Sequence, residues 1–212
     1  MREFLAATRF VEAEHPSVVA RVQSLDLHAL DPRARAAKLF EHVRSDVRYE
    51  FMARFTPEDY LASRILEQNQ GFCVQKAVLL AALGRAAGIP TAIVLCDMRD
   101  HALPEKVLRV IGTNVMHHHG LNAFLLDGAW ITVDASLDPR FLDKKRYPKV
   151  SFDGTADAFL ASTTTDGRPA AEYLTFHGRY AELPFEQTTA AFVAGYQQAD
   201  LSALVAMGLK VG

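Results

Sequence analysis

The sequence predicts an α+β fold in which a helical N-terminal part and a central cysteine-bearing helix pack on an antiparallel β-sheet. Three observations carry that expectation. The first 70 residues hold apolar side chains at spacings of three and four, residues 73 to 90 form one Ala- and Leu-rich run, and from residue 91 the apolar runs become short and β-branched.

Taken in order, "SVVARVQSLDL" and "DPRARAAKLFEHVRSDVRYEF" read as helices, the second with Asp31 as its cap and Pro32 at its first position. Ala37, Leu39, Phe40, Val43 and Val47 form its expected buried stripe. "CVQKAVLLAALGRAAGIP" is the strongest helix, with Ala77, Leu80, Ala81 and Gly84 on a buried face and with Gly88 and Pro90 marking its end. "TAIVLC" (91–96) follows as a strand. "LNAFLL" (121–126) and "WITVDA" (130–135) flank Asp127-Gly128, a hairpin signature. The 97–118 connection is long enough to serve as a lid or substrate-binding loop. Turn residues dominate the C-terminal part until "FEQTTAAFVAGYQQ", which reads as a final helix.

A chain of 212 residues, 50% hydrophobic, suits a single domain over 1–212, divided into a helical N-terminal part (1–70), a catalytic core (71–140) and a C-terminal extension packed on the core (141–212). A net charge of -2 speaks against nucleic acid and anionic membranes as partners. No apolar run reaches membrane-spanning length and the N-terminus lacks a signal-peptide core, so the expected location is cytoplasmic and Cys73 and Cys96 are expected as thiols.

The hairpin selects among the three consecutive histidines 117–119. With a two-residue turn, Leu126 opposes Ala129 and opposed positions sum to 255, so His119 faces Ser136 and Leu121 faces Asp134. His119 and Asp134 then share a face one diagonal apart, while His118 points away and His117 lies a step further out. A histidine oriented by a carboxylate is two parts of a nucleophilic triad. Cys73, at the tip of the central helix, supplies the third, since unpaired N–H groups, the positive end of the dipole and a nearby imidazolium all favour thiolate. Gly71 and Phe72 before it, and His117, Gly120 and Trp130 around the base, are the substrate-binding candidates; Gln68 and Gln70 are candidates to join the Cys73 N–H in an oxyanion hole.

"GFCVQKAVLLAALGRAAGIPT" and "HGLNAFLLDGAWITVDAS" together resemble the paired signature of the transglutaminase-like superfamily, a helix-borne Cys followed by a His strand and an Asp strand. "LFEHVRSDVRYEF" resembles the family's segment leading to the nucleophile, and "HGRYAELPFEQ" the tail of a branch of small bacterial members. The resemblance implies a papain-like fold with Cys73 as nucleophile, His119 as general base and acid, and Asp134 as orienting carboxylate. Many members follow their histidine with Ala-Trp, whereas here it is Gly120-Leu121, which implies a different groove wall beside the base.

The expected activity is acyl transfer through a thioester, with a peptide, protein or small-amide substrate and no cofactor or metal. One alternative is a non-catalytic peptide- or protein-binding module that retains the fold. Another is a zinc hydrolase built on His117 and His119, with His101 or Cys73 completing the ligand set. Hydrolysis versus transfer to an amine, and the oligomeric state, are not encoded in any motif.

Overall fold

The computed structural model describes residues 1–51, 56–197 and 199–200. The first helix, α1 (Pro16–Ser24), starts at Pro16 with the His15 ring accepting the Ser17 N–H. Helix α2 (Pro32–Asp46) is capped by Asp31, whose carboxylate accepts the Ala34 N–H at 2.9 Å. Its buried face is Ala36, Leu39, Phe40 and Val43, continued by Val47 beyond the helix; Ala36 takes the place assigned to Ala37, which is half-buried. Strand β1 (Arg48–Tyr49), helix α3 (Ala62–Gln68) and the parallel partner strand β2 (Gln70–Gly71) lead to the central helix.

Helix α4 (Cys73–Ala86) is buried at every position from Cys73 to Arg85. A helix apolar on all sides has to sit in the interior. Here α1, α2 and α3 cover it on one side and strands β3 (Thr91–Asp100) and β4 (Val115–Leu126) on another. Its polar side chains are bonded rather than exposed. Gln75 Nε2 donates to the Asp59 carbonyl at 2.7 Å, Lys76 Nζ to the Val47 carbonyl at 2.9 Å, and Arg85 to the carbonyls of Thr91, Ala6 and Ala181. The helix closes as Gly88 and Pro90 predict, with the Gly88 N–H on the Arg85 carbonyl and the Ile89 N–H on that of Gly84.

The main sheet is antiparallel, in the order β5-β4-β3-β6, with β5 (Ala129–Val133) and β6 (Ala171–Tyr180) at its edges. The hairpin has the expected register, Leu126 opposite Ala129 through to Asn122 opposite Val133. There the ladder stops, because the Asp134 N–H turns to the Ala158 carbonyl, so the expected pairings of Leu121 with Asp134 and His119 with Ser136 do not form. The 97–118 segment is not an open loop: β3 runs on to Asp100, α5 (Glu105–Ile111) occupies the middle, and β4 begins at Val115.

Three register shifts interrupt the middle of β3, one against β4 and two against β6. On β4, Cys96 pairs with His119 and Met98 with Met116, so Asp97 opposes both His117 and His118, and His118 takes φ +50°. On β6, Leu95 pairs with Gly178 and Cys96 with Phe176, which leaves His177 as the extra residue. Helix α6 (Pro139–Lys145) is capped by Asp138, whose carboxylate accepts the Arg140 and Phe141 N–H groups. Helix α7 (Phe185–Gly195) places Phe185 and Phe192 against Phe10, Tyr60 and Phe72. Among the described residues no helix is long and apolar enough to cross a membrane.

Candidate active site

Cys73 is the first residue of α4, behind Phe72, whose N–H is taken by Gln75 Oε1 at 3.2 Å. The sulfur therefore sits where the unbonded N–H groups of a helix start point. Strand β4 reaches this helix tip because residue 120 is glycine. A Cβ there would lie 2.6 Å from the Val74 Cα, 2.8 Å from the Val74 nitrogen and 2.9 Å from the Cys73 carbonyl oxygen. Those are backbone atoms that no rotamer change can move aside. The close approach brings His119, the adjacent residue, beside the Cys73 side chain, near enough for the two to interact electrostatically.

The His119 ring is buried and points its Nε2 at Asp134 Oδ2, 2.8 Å away, which leaves Nδ1 for the sulfur. Asp134, itself buried, also accepts the Tyr173 hydroxyl at 2.7 Å and the Ser136 N–H at 2.9 Å. Burial by itself would discharge both groups. It is outweighed: Asp134 and Cys73 hold the imidazole pKa up to about 10, and His119, Ser136 and Tyr173 keep the Asp134 carboxyl below its usual value. The arrangement is an imidazolium held between a carboxylate and a sulfur, with its tautomer and orientation fixed. Cys96 is the opposite case, since burial pushes its thiol far above the ordinary range.

The family profile described as the Transglutaminase-like superfamily matches residues 19–135, more than half of the chain and all three of these residues. The chain belongs to the transglutaminase-like superfamily. Among solved structures, a candidate cysteine protease from Cytophaga hutchinsonii is similar at 16% identity and TM-score 0.49, over 82% of this chain and 53% of that one. A candidate protease from Parabacteroides distasonis ATCC 8503 is similar at 12% identity and TM-score 0.39, over 58% of this chain and 25% of that one. The chain thus spans about half the length of the first and a quarter of the second. No curated protein matches.

In this transglutaminase-like fold the other sequence candidates take different places. The Phe72 ring is committed to the core, edge-on to Tyr60 and Phe192. Gly71 serves packing, since a Cβ there would meet the Gln75 Cβ at 2.9 Å. Gly120 faces the helix backbone rather than a groove. Trp130 pairs with Leu125 near the hairpin turn, edge-on to Phe4 and under the Arg179 guanidinium, roughly 20 Å of strand away from the base. Gln68 ends α3 and Gln70 lies on β2, both half-buried, on the segment leading into Cys73. His117 packs against Tyr196 with its Nδ1 3.8 Å from Asp97 Oδ1. His117 and His119 do not gather as metal ligands: among the described residues, no close group of three or more ligand-type side chains includes either.

One residue of the site escaped sequence reasoning, and so did a buried lysine on the same helix as Cys73. Lys76, three positions after Cys73, is fully buried, and desolvation lowers its pKa to about 7 against the opposing pull of Asp138 and Asp134. Tyr173 comes from β6, 39 residues beyond the carboxylate it bonds, and its oxygen also accepts the Leu160 N–H at 3.1 Å. The signal available was the aromatic and β-branched run "EYLTF", a strand pattern. Tyr173→Phe is expected to cost about 1–3 kcal/mol of stability, because it leaves a buried N–H unpaired and takes a donor from a buried carboxylate. Denaturant unfolding measures it, and a loss under about 0.5 kcal/mol would show the hydroxyl to be idle.

Proposed function

We propose that the protein is a cysteine enzyme that cleaves or transfers an acyl group through a thioester on Cys73. The observation that carries this reading is the meeting of Cys73, His119 and Asp134, with the base bonded to the carboxylate and interacting with the sulfur. Cys73 Sγ attacks the acyl carbon and forms the C–S bond. His119 passes the proton gained from the thiol to the leaving amine as the C–N bond breaks. Water or a second amine then attacks the thioester while His119 takes its proton, and the C–S bond breaks to restore the thiol. Asp134 keeps the ring oriented and balances its charge throughout.

The substrate in this reading is a peptide, protein or small amide. The Cys73 N–H, with Gln68 or Gln70 as a second donor, receives the oxyanion. In this reading β6 and α7 belong to the same unit as the site, supported by the Tyr173 bond to Asp134 and the packing of Phe192 on Phe72. Hydrolysis and transfer share the acylation step and differ only in which nucleophile enters second.

Iodoacetamide tests the reading. At pH about 6 an ordinary thiol, with pKa near 8.5, is mostly protonated and slow. Cys73 is expected to be alkylated at least about tenfold faster than such a thiol, with Cys96 untouched, and His119→Ala should abolish the difference. Slow labelling of Cys73 that is indifferent to His119 would favour a binding module over an enzyme.

A further inference from the structure

The irregularity against β4 and the one that frees His177 on β6 converge on Asp97. His118 donates its backbone N–H to Asp97 Oδ1 at 3.1 Å, and the His177 Nε2 lies 3.0 Å from the same oxygen. Asp97, His118 and His177 each bring a ligand-type atom within 4.8 Å of the other two. The His118 side chain is the unusual member. Its residue is only 8% exposed, yet neither ring nitrogen has a hydrogen-bond partner among the described residues. Two unpaired nitrogens in the interior are a costly arrangement for a neutral imidazole, and such groups are retained where something else uses them.

We propose that Asp97, His118 and His177 form a site for one first-row transition-metal dication of the zinc type, separate from Cys73, His119 and Asp134. Two imidazoles and a carboxylate are the donor set such ions take, with a fourth position left to water. The ligands come from three neighbouring strands, β3, β4 and β6. Asp97 and His177 are each 23% exposed at the side chain, which gives an ion a way in. The His118 and His177 rings are stacked at 4.4 Å, so sharing an ion requires His177, the more exposed, to turn out of the stack. Once bound, the ion ties β6 to β4 one residue ahead of His119.

The test uses tag-free, chelator-treated protein, titrated with Zn²⁺ by calorimetry and with Co²⁺ by absorption. The expected result is one equivalent of Zn²⁺ and a Co²⁺ spectrum without a thiolate charge-transfer band. His177→Gln and His118→Asn should each weaken binding by at least about tenfold, since loss of even an outer-shell partner costs that much. Asn at 118 accepts the left-handed backbone, and His177→Gln on the edge strand repeats the measurement should the 118 variant lose its fold. Cys73→Ser should bind as the parent does. No saturable binding, binding unaffected by His177→Gln, or binding lost with Cys73→Ser would each overturn the site.

Discussion

Gly120→Ala is expected to destabilise the protein by roughly 3 kcal/mol or more and to remove the selective alkylation of Cys73. The added carbon would stand 2.6 to 2.9 Å from backbone atoms of Val74 and Cys73, so either α4 or β4 has to shift. Overpacking against backbone belongs among the severe single substitutions. Any shift also opens the contact between Cys73 and His119, which is why reactivity should fall in whatever fraction still folds. Gly128→Ala is the control. Nothing lies within 4 Å of its Cβ position and only the left-handed φ of +82° opposes it, so about 1–2 kcal/mol is expected there. Equal losses for the two variants in denaturant unfolding would refute the packing argument.

Asp134→Asn is expected to lower acyl transfer by roughly 10²- to 10⁴-fold while the fold survives. Asparagine fills the same volume, and its amide oxygen still accepts one of the three bonds that the carboxylate takes. What disappears is the charge that faces the imidazolium. An amide N–H turned toward His119 Nε2 would also favour the tautomer that puts the ring proton on the wrong nitrogen for the sulfur. The burst released from a small activated ester such as p-nitrophenyl acetate measures acylation without knowledge of the natural substrate. A rate within about threefold of the parent would remove Asp134 from the mechanism.

The parts of the site legible in the sequence are those fixed by short-range rules. Asp127-Gly128 sets the hairpin register, and the register brings His119 and Asp134 together even though the ladder ends at Asn122 and Val133. The Ala- and Leu-rich run with its Gly88 and Pro90 stop places Cys73 at a helix start. The illegible parts depend on long-range partners. Tyr173 reaches Asp134 only because β6 pairs with β3, some 75 residues earlier, and no local pattern announces that pairing. The bulge that redirects His118 shows in the sequence only as a third consecutive histidine. The rings of Phe72 and Trp130 are taken up by packing, against Tyr60 and Phe192 in the one case and Phe4 in the other, contacts that depend on distant segments of the chain. Gly120 likewise depends on a distant partner, the backbone of Val74 and Cys73 that its missing Cβ lets approach.

The matched family segment ends at residue 135, and β6 begins at Ala171. Trimming the protein to the recognisable homology region would therefore leave the peptide groups of Ile93–Asp100 on a bare, mostly apolar ribbon open to pairing with other molecules. It would also take away the phenol that donates to the Asp134 carboxylate. For expression work, the boundary to respect lies beyond the last strand rather than at the end of the sequence signature.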